Sequence, residues 1–230
     1  MNKFLKFSLY LIFFVLFAIG LGRKIEDVSE NSDSQFVHDQ SFGGRYKYLT
    51  SLDMVLQLVF FGLCTIDGLL ELLDIETPLK STLNFTFRSL AFPIGSFVAF
   101  SFWGIYSIDR ELIFPKEFDA IIPGWHNHIM HTLPLIAVLI ESSWSEHKFS
   151  KSFITGVVPT VLAGLGYLLW VLIVAKYGGF WVYPIMAVLT QFQRGLFFGG
   201  LLIVLALLYK LGDLMDGFLV VKQPALKKND

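Results

Sequence analysis

Six apolar stretches separated by short polar joints run along the chain. A helix of about 20 mainly apolar residues crosses the hydrocarbon of a bilayer. On that measure the pattern predicts helices over Phe4 to Leu21, Lys47 to Leu73, Arg88 to Ile108, Pro123-Gly124 up to Glu141, Phe153 to Ala175, and Gln191 to Leu208, the last continuing past Lys210 toward Val221. The fourth stretch is short and polar at its start, a pattern that also fits a re-entrant segment. The first follows Lys3 and Lys6 and is closed by Arg23-Lys24. A cleaved signal peptide competes for it, but the apolar run is long and no clear small-x-small cleavage site follows, so the stretch reads as an uncleaved anchor. Residues 22–46 form a polar loop, acidic and Ser-rich from Glu26 to Asp39, and residues 222–230 a polar tail. No internal repeat and no low-complexity tract interrupts this pattern. The expectation is one integral-membrane domain over residues 1–230, an all-α polytopic bundle of about six transmembrane helices. Gly156, Gly164 and Gly166 suit close helix approach in the fifth span.

Two polar islands break the apolar pattern. Thr50, Asp53 and Gln57 recur at i, i+3 and i+7 and share one stripe of the second helix. The block Pro123-Gly124-Trp125-His126-Asn127-His128-Ile129-Met130-His131-Thr132 opens the fourth. With six spans, helices two and four run in the same direction. At 1.5 Å per residue, Thr50 and His131 then lie within roughly 5 to 12 Å of one membrane face. Asp109, Arg110, Trp181, Tyr183 and Arg194 reach the rim of that face. Ionisable groups at membrane depth are costly and mark functional sites, so chemistry is sought here.

Several readings of the islands stay open. Thr50 could cap its own helix start, and Asp53 and Gln57 could hydrogen-bond between helices. Asp53 needs a cationic or hydrogen-bonding partner, and Arg194 and the histidines enter at similar depth. His128 and His131 are i, i+3; Asn127 and His131 are i, i+4 and can meet; His126 points elsewhere. His-x-x-His can hold a metal, but a zinc site needs at least three protein ligands, and acidic residues near this face are few. A general-base histidine that activates a hydroxyl and is oriented by a second polar group needs fewer assumptions. A purely structural polar core is the remaining reading. Gly-x-Ser-x-Gly, P-loop and His-Glu-x-x-His motifs are absent. Thr50 is the hydroxyl residue whose depth matches His131, whereas Thr132 turns about 100° away from His131 on the helix.

Composition agrees with lipid as the solvent. Of 230 residues 54% are hydrophobic and 16% charged, with 24 Phe and 5 Trp, against about a quarter charged in soluble domains. A net charge of −1 gives no general attraction to nucleic acid. The lone Cys64 makes no internal disulfide and reads as a small buried hydrophobe. Arg23, Lys24, Arg45, Lys47, Arg110, Lys116, Lys176 and Arg194 fall on one side of a six-span layout; the other ten Lys and Arg fall on the side of the termini. That excess is a small preference for cytoplasmic termini.

At the islands the chain resembles the androgen-induced protein 1 family, which includes the androgen-dependent regulator of tissue factor pathway inhibitor. The resemblance rests on Tyr48-Leu49-Thr50-Ser51-Leu52-Asp53 with Gln57 and Phe60-Phe61-Gly62, on Ala91-Phe92-Pro93-Ile94-Gly95 and Phe102-Trp103 with Tyr106, and on Asp109-Arg110-Glu111. It continues through Ile122-Pro123-Gly124-Trp125, Asn127-His128-Ile129-Met130-His131-Thr132, Trp181-Val182-Tyr183-Pro184, Arg194 and Phe197-Phe198-Gly199, from about Gly43 to Gly212. It implies a six-helix membrane hydrolase of fatty-acid esters of hydroxy fatty acids, with Thr50 as the nucleophile and His131 as the histidine. Asp53, Asn127, His128 and Arg194 are expected to support His131 or bind substrate. The reading calls for a lipid substrate in contact with membrane lipids, and for no metal, cofactor or nucleic acid. It leaves the oligomeric state unspecified. The expected location is the endomembrane system (endoplasmic reticulum) or the plasma membrane. The alternative is a non-enzymatic lipid-binding or transport protein, and a metal-dependent hydrolase is a weaker third. The chain departs from the family in the N-terminal helix, the acidic loop, the joint between helices two and three, and the tail.

Overall fold

The computed structural model describes residues 2–23, 41–145, 147 and 152–219. The acidic stretch from Glu26 to Asp39 and the polar tail from Lys222 lie outside the described residues. Nine α-helices are formed among those described, and no strand. They are α1 (Lys3–Gly22), α2 (Leu49–Leu72), α3 (Lys80–Thr86), α4 (Phe92–Ile108), α5 (Gly124–His131), α6 (Leu133–Trp144), α7 (Phe153–Gly178), α8 (Pro184–Val188) and α9 (Gln191–Leu219). A π-helical turn, Phe87–Ala91, joins α3 to α4 into one rod. Five helices are long and apolar enough to cross a bilayer: Lys3–Gly22, Leu49–Leu72, Lys80–Ile108, Phe153–Gly178 and Gln191–Met215.

The fourth stretch departs from the sequence expectation. Instead of one helix it forms α5 and the shorter apolar α6. Pro134 explains the break, because it has no N–H to donate to the Met130 carbonyl. Thr132, with φ −113° and ψ −44°, sits at the joint. The first helix of the pair thus ends at His131, one residue before the joint.

The predicted third span begins too late, at Arg88, because the helical rod starts at Lys80. Its π turn lengthens the hydrogen-bond step and leaves carbonyls without their usual donors. Neighbouring helices supply those donors: Gln57 Nε2 on α2 donates to Ala91 O at 2.9 Å, and Thr160 Oγ1 on α7 donates to Ser89 O at 2.7 Å. Gly95, one turn on, leaves room for that amide, since a Cβ there would lie 2.6 Å from Gln57 Nε2.

The N-terminal helix packs lengthwise on α2. Asn2 caps it, its side chain accepting the Phe4 N–H at 3.0 Å. Phe13 and Phe17 lie against Phe61 with ring centroids 5.0 and 5.8 Å apart. Its far end is clasped by later residues. Arg45 donates to Leu21 O and Arg23 O, and His126 Nε2 donates to Gly20 O at 2.9 Å. At Gly20 a Cβ would meet Ile129 and Met54 at 2.6 Å, so α1, α2 and α5 converge closely there. At the opposite end Lys3 pairs with Asp74 at 2.7 Å, and Tyr10 Oη lies 3.2 Å from Ser145 Oγ.

Candidate active site

Thr50 is the second residue of α2 and His131 the last of α5. The fold brings them together, with Thr50 Oγ1 3.2 Å from His131 Nε2. The histidine is 5% exposed. Its other nitrogen, Nδ1, lies 2.7 Å from Asn127 Oδ1 and 3.1 Å from Asn127 O, one helical turn back. Oδ1 and the backbone oxygen only accept, so Nδ1 carries the proton. Nε2 then presents a lone pair to the Thr50 hydroxyl. The Phe102 ring stacks on the imidazole, centroids 3.5 Å apart and planes 8° apart, and fixes its tilt. The result is a hydroxyl, a histidine and an amide acceptor in line, the layout by which a weak nucleophile is activated.

The other residues singled out by sequence take different places. Asp53 is 1% exposed and its Oδ1 accepts Gln57 Nε2 at 2.9 Å, while Oδ2 has no hydrogen-bond partner among the described residues. Gln57 therefore joins Asp53 to the π turn. His128 is exposed; its Nδ1 lies 3.0 Å from Thr132 Oγ1, which also accepts Trp103 Nε1–H at 3.1 Å. Arg194 is not brought to the pair: its Nε donates to Met186 O at 2.7 Å and its guanidinium lies 4.3 Å from the Trp181 ring centroid. His126 serves the end of α1. Among the described residues no three His, Cys, Asp or Glu side chains gather as a metal site.

Thr50 and His131 open into a cavity of about 190 Å³. Its lining includes Ile94, Phe97, Ala163, Gly164, Leu202 and Leu205 from α4, α7 and α9, together with Ile113, Phe114, Phe118 and Ile122 from the segment between α4 and α5. On α4 the lining residues run from Ile94 to Ile105, about 16 Å along the helix axis. Arg45 and Lys47 also line it. Two tyrosines that meet the start of α2, Tyr167 and Tyr183, also face the cavity. Sequence reasoning named Tyr183 at the rim and Tyr183 and Phe102 within the family motifs, without a role for either, and passed over Tyr167, since an aromatic residue in an apolar helix carries no distinguishing signal.

The FAR-17a/AIG1-like protein family model matches residues 5–217. The chain is 38% identical over 200 residues to human androgen-induced gene 1 protein, covering 82% of this chain and 83% of that protein. It is 33% identical over 177 residues to human androgen-dependent TFPI-regulating protein, 76% of each. A UPF0641 membrane protein of Schizosaccharomyces pombe is 27% identical over 171 residues, 73% of each. No solved structure matches the chain. With that match over most of its length and five helices able to cross a bilayer, the chain is a multi-pass membrane protein and belongs to the FAR-17a/AIG1-like family.

Proposed function

We propose that the protein is an intramembrane threonine esterase acting on lipid esters of the class in which a fatty acid is joined to a hydroxy fatty acid. The observation that carries this reading is the alignment of Thr50, His131 and Asn127, with Thr50 and His131 lining a largely apolar cavity. His131 Nε2 takes the Thr50 proton as Oγ1 attacks the ester carbonyl. The imidazolium so formed holds its Nδ1–H on Asn127. It then returns the proton to the departing alkoxide, leaving an acyl-threonine. Water from the nearby membrane face, activated by the same histidine, releases the acid.

The cavity supports the substrate class. An ester seated at Thr50 meets apolar side chains from α4, α7 and α9 and from residues 113–122, surroundings that suit acyl chains. Such a lipid need not leave the bilayer to react. The lipid, its regiochemistry and a place in the endomembrane system or plasma membrane all belong to this proposal.

The test uses the purified protein with Thr50→Ala and His131→Ala. The wild type is expected to hydrolyse a fatty-acid ester of a hydroxy fatty acid and to label with a fluorophosphonate at Thr50, and both variants are expected to lose turnover. Label found on another residue, or full turnover in either variant, would refute the assignment. Lipid binding without turnover or labelling would make the protein a binder or transporter.

A further inference from the structure

The esterase reading leaves one requirement unassigned: a donor for the negative charge on the carbonyl oxygen as Thr50 attacks. Preorganised donors at that point are among the largest contributions to acyl-transfer catalysis. Tyr167 and Tyr183 stand beside the nucleophile in a position to supply one.

The hydrogens in this cluster can be placed. The Leu49 N–H, immediately before Thr50, donates to Tyr167 Oη at 3.0 Å and to Tyr183 Oη at 3.1 Å. Tyr167 spends its single proton on Lys47 O at 3.1 Å. The two phenol oxygens are 2.9 Å apart, so the proton between them belongs to Tyr183. Tyr183 is thus the phenol whose acceptor is a rotatable side chain rather than fixed backbone. If its O–H turns away, Leu49 remains bonded to Tyr167 and the start of α2 stays satisfied. The ring itself is held, packed edge-on against Tyr48 at 5.9 Å and followed by Pro184 at the start of α8. Burial pushes the Tyr183 phenol above its ordinary value of 10, so it keeps its proton at neutral pH.

We propose that Tyr183 is the oxyanion donor, its hydroxyl turning from Tyr167 into the cavity to meet the carbonyl oxygen of the ester. This rests on the esterase reading above. As the Thr50 Oγ1–carbon bond forms, the carbonyl π pair moves onto oxygen and the Thr50 proton goes to His131. Tyr183 donates a hydrogen bond to that oxygen and transfers no proton. The Thr50 backbone N–H, in the first helical turn where amides have no intrahelical acceptor, is the second donor. Collapse restores the carbonyl, expels the alkoxide and returns the Tyr183 O–H to Tyr167.

The experiment compares wild type, Tyr183→Phe and Tyr167→Phe, purified as full chains. Four quantities are read: kcat and KM on the ester, affinity for the non-hydrolysable ether analogue, inhibition by a lipid trifluoromethyl ketone that forms a tetrahedral adduct, and Tm. Tyr183→Phe is expected to lower kcat by about 10²- to 10³-fold and to weaken the ketone in parallel. KM, ether affinity and Tm should stay near wild type, a split that a structural role does not produce. Tyr167→Phe, which takes a partner from two backbone groups, is expected to lower Tm and to cost less in kcat. Undiminished kcat in Tyr183→Phe overturns the assignment, as does a loss shared equally with ether affinity and Tm. If the wild type itself neither turns over ester nor labels at Thr50, the esterase reading fails and carries this one with it.

Discussion

Asn127→Leu separates the two acceptors that hold His131. The substitution keeps side-chain bulk but removes Oδ1, the partner 2.7 Å from Nδ1, and retains the backbone oxygen of residue 127 at 3.1 Å. The histidine therefore keeps its tautomer and its stacking on Phe102, and loses the shorter of two bonds. That bond matters most when the ring becomes positively charged. Hydrogen bonds to charged groups contribute about 1.5 to 3 kcal/mol, and each 1.36 kcal/mol is tenfold in rate. The expected result is a kcat lower by about 10- to 150-fold, with ether-analogue affinity unchanged because that ligand draws no proton transfer. The assay is turnover of the lipid ester in detergent micelles, with Tm measured alongside. A loss as complete as in His131→Ala would mean that the remaining backbone bond does not orient the ring. An unchanged kcat would mean that Asn127 Oδ1 has no part in the reaction. Either result refutes the reasoning.

Two further outcomes follow from the packing. Gly95→Ala places a methyl carbon against Gln57 Nε2, 2.6 Å away before relaxation, and overpacking of this kind costs about 1 to 3 kcal/mol. A lower Tm is expected, and combining Gly95→Ala with Gln57→Ala should be less than additive, because the clash has lost its partner; strict additivity would sink the account of the π turn. Leu205→Trp adds bulk to the cavity lining between α4, α7 and α9, where Leu205 already lies 2.8 Å from the position a Gly164 Cβ would occupy. Each methylene kept from burial forfeits about 0.8 kcal/mol, so excluding two lowers kcat/KM for a long acyl chain relative to a short one by about 15-fold. An unaltered chain-length profile would show that this part of the cavity does not hold the acyl group.

Much of the helical layout was legible because lipid imposes a simple rule: about 20 apolar residues, repeated. The shared depth of Thr50 and His131 followed from helix rise and chain direction, and the i, i+4 relation of Asn127 to His131 from helical periodicity. The interruptions were not legible. Pro134 could be seen, but whether it would bend the helix or split it depends on what receives the freed Met130 carbonyl. The interhelical hydrogen bond expected of Gln57 is formed, but its acceptor, Ala91 O, is exposed by the π turn at Phe87–Ala91, which leaves no mark in the sequence. Arg194 was placed at the right face, but its azimuth around α9 takes it to Trp181 and Met186 rather than to Thr50. Tyr167 and Tyr183 are joined only by the meeting of α7, the α8 joint and the start of α2, a three-way contact that no local pattern encodes.

The clasp on the end of α1 carries a consequence for biogenesis. The last carbonyls of a helix have no partner of their own, and in lipid such groups are costly. Here Gly20, Leu21 and Arg23 wait for His126 and Arg45, residues synthesised after them. The set of bonds on that end is complete only once α5 is in place. The residue that closes the last of these bonds, His126, stands five positions before His131, so the step that finishes the anchor also delivers the histidine to Thr50. A chain stalled before α5 lacks both the His126 bond to Gly20 O and the Thr50–His131 contact.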